Sequence, residues 1–107
     1  MSAFAIANLH DVRMGADIVA YLENIDATLA PFGGRFRIHG APPDVVEGTF
    51  SGDLIMLEFP DIETARAWYR SEAYQAIQPL RTRNSAGSVI LVEGVPEGHR
   101  ATDILKG

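Results

Sequence analysis

The run Phe59-Pro60-Asp61-Ile62-Glu63-Thr64-Ala65-Arg66-Ala67-Trp68-Tyr69-Arg70-Ser71-Glu72-Ala73-Tyr74-Gln75 constrains the fold more than any other stretch of the chain. Pro60 closes the apolar segment Leu54 to Phe59, and Asp61 supplies the side-chain oxygen that the unpaired N–H groups of a helix start require. Ile62, Ala65, Trp68 and Tyr69 then recur at helical spacing. Ser71 offers a second cap, for a short helix carrying Ala73, Tyr74, Ile77 and Leu80 and disturbed at Pro79. A strand feeding two capped helical segments with three large aromatics must bury those rings against a sheet. That requirement sets an α+β domain.

The rest of the chain supplies the other parts. Ala3 to His10 is short and apolar at almost every position, which suits a central strand covered on both faces. Ile18, Val19, Leu22, Ile25 and Leu29 form a helical stripe that ends near Ala30, where Pro31 and Gly33-Gly34 give the stop. Arg35-Phe36-Arg37-Ile38-His39 alternates with period two, so Phe36 and Ile38 should share one face and Arg35, Arg37 and His39 the other, as on an edge strand. Val45 to Phe50 and Leu54 to Phe59 fit either a hairpin or, as preferred here, one long strand kinked at Ser51-Gly52-Asp53. Arg81 to Gly87 reads as a polar loop, Ser88 to Glu93 as the last strand, and 96–107 as a tail anchored by Ile104-Leu105. The order β-α-β-β-α-β predicts a ferredoxin-like antiparallel sheet over residues 1–95 with both helical layers on one face.

Two helical layers leave one sheet face bare. The strands beginning at Ala3, Leu54 and Ser88 are apolar on both sides, and leaving four or five of Phe4, Ile6, Leu54, Met56, Val89 and Leu91 wet forfeits about 1.5 to 3 kcal/mol each. A second copy packed sheet to sheet is the economical cover, so a homodimer is expected. At 107 residues and 47% hydrophobic the chain has the core of one domain. It has no cysteine, which removes thiolate chemistry, iron–sulfur clusters and disulfides. A net charge of -5 with no Lys/Arg cluster repels phosphate backbones and anionic lipid, so neither nucleic acid nor membrane is an expected partner. The N-terminal segment lacks the basic start of a signal peptide, and a cytoplasmic location is expected.

Gly33-Gly34-Arg35-Phe36, His39-Gly40, Val46-Glu47-Gly48, Leu57 to Pro60, Ala65 to Ser71, Tyr74-Gln75, Arg81 and Val92-Glu93-Gly94 together resemble the bacterial family known as domain of unknown function 1330. The resemblance spans about residues 3 to 95. It implies a dimeric α+β barrel, in the wider group that holds cofactor-free monooxygenases and muconolactone isomerases; it implies no particular reaction. His39 stands where relatives commonly carry arginine, and Phe50 where they commonly carry tryptophan.

Several side chains are candidates for chemistry. His39 ends a strand beside Gly40, and imidazole titrates nearer neutral pH than any other side chain, which suits an acid/base; a solvent-facing edge histidine is the plain alternative. Glu47 and Glu58 flank the expected kink, where burial could raise a carboxyl pKa, although pairing with Arg37 or Arg81 in an ion pair is the commoner fate. Arg81-Thr82-Arg83 could clamp a carboxylate, or simply stand in solvent after the helix. Trp68 and Tyr69 read as core, Tyr74 with Ser71 as a hydroxyl presented to a ligand, and Ser71 also as a cap. His10, His39 and His99 have no metal-type spacing, so neither metal nor cofactor is expected. The expected pocket therefore draws on Arg81, Tyr74, Ser71, Trp68, Tyr69, Arg37 and Glu58, with His39 and Glu47 moving protons.

Two readings stay open on the sequence. The first is a homodimeric small-molecule-binding protein doing cofactor-independent proton transfer, isomerase or monooxygenase-like, on a small and carboxylated metabolite. The second is a non-catalytic dimeric stress or regulatory module whose interior is filled by its own side chains.

Overall fold

The computed structural model describes residues 1–106. Strand β1 (Ala3–His10) leads to helix α1 (Ala16–Leu29), a 3-10 turn (Ala30–Phe32), β2 (Arg35–His39) and β3 (Asp53–Phe59). Helices α2 (Ile62–Arg70) and α3 (Glu72–Thr82), strand β4 (Ala86–Glu93) and a terminal 3-10 segment (Ala101–Lys106) follow. The sheet order is β2-β3-β1-β4 with every pairing antiparallel, which is the ferredoxin-like arrangement.

Register assigns the faces. Ala3, Ala5, Leu57 and Phe59 belong to the buried core with Tyr21, Ile25 and Leu29 of α1 and Trp68 and Tyr74 of α2 and α3, so odd-numbered β1 and β3 residues face the helices. Phe4, Ile6, Leu54 and Met56 face the other way, joined across β4 by Ile90 and Val92. Val89 and Leu91, expected on the open face, turn instead toward the helices; the pairing of Ala7 with Val89 and Ala5 with Leu91 decides it.

Local chemistry explains the ends of the elements. Asp61 accepts a hydrogen bond from the Thr64 N–H at 2.7 Å, and Ser71 accepts one from the Tyr74 N–H at 3.2 Å, so both expected caps are made. Gly33 leaves the α1 turn at φ +66, a conformation that favours glycine. Gly34 is small for a different reason: a Cβ there would stand 2.6 Å from the Phe59 ring and 2.8 Å from Leu29.

Four expectations give way. Val45 to Phe50 form no strand but part of an exposed connection between β2 and β3, because β2 stops at His39 and offers them no partner; Val46 is 85% exposed. In α1, Val19 and Leu22 are 47% and 40% exposed while Tyr21 and Thr28 are buried, so the inner stripe runs Ile18, Tyr21, Ile25, Thr28, Leu29. Helix α3 runs through Pro79 to Thr82 and takes Arg81 into its last turn instead of a loop. Packing of Ile77 and Leu80 on the core offsets the one backbone bond that proline removes. Ile104 and Leu105 do not anchor the tail, for both are more than three-quarters exposed.

Candidate functional site

A cavity of about 290 Å³ lies between the helices and the sheet. Its floor is the inward row of β1, where Ala5 and Ala7 stand in positions that larger side chains would fill. The cavity exists because that central strand carries alanine there. Helix α1 contributes Tyr21 and Ile25, β3 contributes Ile55 and Leu57, and β2 contributes Phe36 and His39.

His39 reaches the cavity through a bulge. Pairing runs Arg35 to Glu58 and Phe36 to Leu57, then slips to Ile38 against Met56 and His39 against Ile55, which leaves Arg37 as the extra residue. The slip reverses the alternation, so Phe36 and His39 share the helix-facing side and their rings stack with centroids 4.4 Å apart. Strict period two would have put them on opposite faces. His39, Met14 and Asp53 are exposed and line the mouth; Tyr21, Trp68 and Tyr74 are buried at the inner end.

The buried tyrosines bring polar atoms to the inner end. Tyr74 and Arg81 are seven residues apart on α3, hence on one helix face, and both line the cavity. The Tyr74 and Tyr21 hydroxyls are hydrogen-bonded at 2.8 Å, and the Arg81 guanidinium carbon lies 5.9 Å from the centre of the Tyr21 ring, within cation–π reach. Burial, reinforced by Tyr74, pushes the Tyr21 phenol up, so it stays a neutral O–H. Arg81 is held above its ordinary value although burial opposes its charge, because the oxygens of Tyr74 and Tyr21 more than compensate. Among the described residues no carboxylate forms an ion pair with it.

Trp68 also lines the cavity, and its indole N–H donates to Thr28 Oγ1 at 3.0 Å. The remaining candidates stand elsewhere. Ser71 is engaged as a cap, its hydroxyl also donating to the Trp68 carbonyl at 2.7 Å. Tyr69 packs its ring against Trp68 and Tyr74, and its hydroxyl accepts from Gln78 Nε2 at 3.4 Å. Arg37 donates to Glu58 at 2.5 Å with Arg35 at 3.8 Å, an ion-pair cluster across the sheet from the cavity. Arg37 is therefore the partner of Glu58, and hydrogen bonds from Arg37 and then Ser2 hold that carboxyl below the usual range. Glu47 is exposed in the β2–β3 connection. The sequence reading missed Tyr21, whose spacing from Ile18 and Ile25 was the available signal. Among the described residues no cluster of three His, Asp or Glu side chains could hold a metal, and no helix is long and apolar enough to cross a membrane.

Fold and cavity together define a ferredoxin-like α+β protein with an interior site walled by sheet and helices. Residues 2–95 match the family described as Domain of unknown function (DUF1330), and the chain belongs to that family. Its fold is similar to that of RPA0582, a protein of unknown function from Rhodopseudomonas palustris, at TM-score 0.64 and 12% identity over 89% of this chain and 83% of that one. A dimeric ferredoxin-like protein of unknown function from Jannaschia sp. CCS1 aligns at TM-score 0.64 and 14% identity, over 90% of this chain and 100% of that one. An antibiotic biosynthesis monooxygenase aligns at TM-score 0.50 and 17% identity, over 90% of this chain and 100% of that one. No curated protein matches the chain.

Proposed function

We propose that this chain is a homodimeric small-molecule-binding enzyme, with one cavity per subunit and cofactor-independent proton transfer as its chemistry. The observation that carries the reading is the cavity itself: about 290 Å³ of mostly apolar space with an imidazole at the mouth and two phenols and a guanidinium at the inner end. An interior filled by its own side chains, as a purely structural module would have, leaves no such space. In an isomerisation His39 takes a proton from the ligand and returns it at another atom, so no co-reactant is consumed. The buried phenols hold the ligand and exclude water. That a fold neighbour is a monooxygenase supports an enzymatic use of this scaffold and nothing finer.

A thermal-shift screen of small metabolites against the purified full chain tests the reading. A true ligand at a hundredfold over its Kd adds about 2.7 kcal/mol of stability. Ala7→Leu, which fills the floor of the cavity, should abolish that shift while the variant still folds. His39→Ala should remove turnover and keep binding. A screen in which no compound stabilises the wild type, or in which Ala7→Leu responds as the wild type does, would overturn the proposal.

A further inference from the structure

Resting on the cavity reading above, we propose that the inner end of the cavity is an anion site, in which the Arg81 guanidinium and the spare O–H of the Tyr21–Tyr74 pair receive the carboxylate of a small, otherwise apolar acid. Two phenols carry two O–H hydrogens, and the single bond between them at 2.8 Å uses one. The other has no acceptor among the described side chains, yet Tyr74 is 1% exposed and Tyr21 9%. A buried hydroxyl hydrogen without a partner costs free energy until an acceptor arrives.

Arg81 sharpens the choice of acceptor. It is partly buried, it lines the same cavity, and its neighbours are the Tyr21 ring and phenol oxygens in place of a carboxylate. Arg35, Arg37 and Arg66 each have an acidic partner from the chain itself, and the arginines that like Arg81 have none among the described residues, Arg13, Arg70, Arg83 and Arg100, do not line the cavity. A cation plus a neutral donor, both facing apolar space, complements an oxygen that carries charge and several lone pairs. A carboxylate meets both demands, and the planar guanidinium fork matches its geometry. The overall charge of -5 works against anions across the molecule, so a local cation such as Arg81 is what an anion site here requires. Tyr21 remains protonated because burial pushes its phenol up, which keeps it a donor and not a competing anion.

The rest of the ligand follows from the walls. Besides Arg81 and His39 the cavity presents the rings of Trp68 and Phe36 and the aliphatic side chains of Ile25 and Leu57. A cavity of this volume takes a small molecule of single-ring size, with its carboxylate inward and its reactive carbon toward His39. Arg81 at the end of α3 could serve only the helix dipole. Substitution then would alter stability and leave ligand preference unmoved, which gives the test its discriminating readout.

The experiment is isothermal titration of the full chain with benzoate, phenylacetate and cinnamate, each against its primary amide, a neutral molecule of nearly the same shape. The expected result is at least tenfold tighter binding of one acid than of its amide in the wild type. Arg81→Gln should erase that ratio, Arg81→Lys should keep part of it, and Tyr21→Phe should reduce it. Equal binding of acid and amide would overturn the anion site and leave the cavity reading intact. Binding of none of the six also overturns it: a positive metabolite screen alongside would preserve the cavity as a binding site, whereas a negative one would bring down both. An acid-to-amide ratio unchanged in Arg81→Gln assigns Arg81 to the helix end and overturns the proposal.

Discussion

Trp68 is 2% exposed and packs its ring against Tyr74 at 4.2 Å and Phe59 at 5.3 Å between centroids. Its N–H is matched by Thr28 Oγ1, whose own hydrogen goes to the Ile25 carbonyl at 2.7 Å, so a helix-to-helix polar relay runs inside the core. Trp68→Ala leaves a cavity and should cost about 3–5 kcal/mol in urea unfolding, the usual range for such a truncation. Trp68→Phe removes the donor and part of the volume but leaves the Thr28 bond to Ile25, so its cost should be well under that of alanine. Equal losses would mean that the hydrogen bond, and not the ring, carries the energy. At this scale the core role of Trp68 was legible, because a large aromatic on a capped helix behind a strand has nowhere else to go. Tyr21 was not, because Val19 and Leu22 beside it compete for the same helical stripe on hydrophobicity alone. The edge-to-face contact and hydroxyl bond with Tyr74 chose between them.

Among the elements, β2 shows where periodicity fails. Its five residues alternate cleanly in sequence, yet one extra residue at Arg37 reverses the alternation and carries His39 to the helix side. A bulge leaves no mark in a five-residue pattern, so the position of His39 was not legible while the strand itself was. The connection from Gly40 to Gly52 misled for a related reason: Val45, Val46 and Phe50 look like strand residues, but a strand needs a neighbour to pair with, and β2 ends too soon. Conversely, Pro79 and the polar stretch after it hid the last turn of α3, and with it the fact that Arg81 shares a face with Tyr74. The bulge also sets Arg37 against Glu58. That carboxyl is depressed in the folded state, so its contribution is complete above its unfolded pKa and fades as pH falls through the lower folded value. Glu58→Gln should therefore cost stability at neutral pH, and the gap between wild type and variant should close on acidification below about pH 4, near the ordinary glutamate value. Denaturation midpoints measured across that range check it. A gap that stays constant into strong acid would show that the ion pair is not its source.

The whole molecule is a thin slab, 48 × 36 × 19 Å, and its radius of gyration of 15.3 Å exceeds the roughly 13 Å of a compact chain this long. One sheet and one helical layer account for the thin dimension, so among the described residues the second sheet face has no layer of its own. Along it run Phe4, Ile6, Ile38, Leu54 and Met56, half-buried, with Ile90 53% and Val92 41% exposed on β4. Alternation along strands that are apolar at nearly every position made this face legible in the sequence, although the β1–β4 register puts Ile90 and Val92 on it in place of Val89 and Leu91. A second copy laid sheet to sheet would remove that apolar row from water at about 25 cal/mol per Å². Ile90 discriminates this assembly from an open monomer. Because it is half exposed in the single subunit, Ile90→Asp adds a solvated charge there and should leave the subunit fold intact, yet the same carboxylate within a sheet-to-sheet contact would be buried without a partner. Sedimentation at micromolar concentration should give the wild type twice the 11.6 kDa of one chain and Ile90→Asp a folded single subunit, with unchanged far-ultraviolet circular dichroism. Wild-type protein sedimenting as one subunit would refute the dimer. A dimer that persists in Ile90→Asp would place the contact on another surface and leave this sheet face in water.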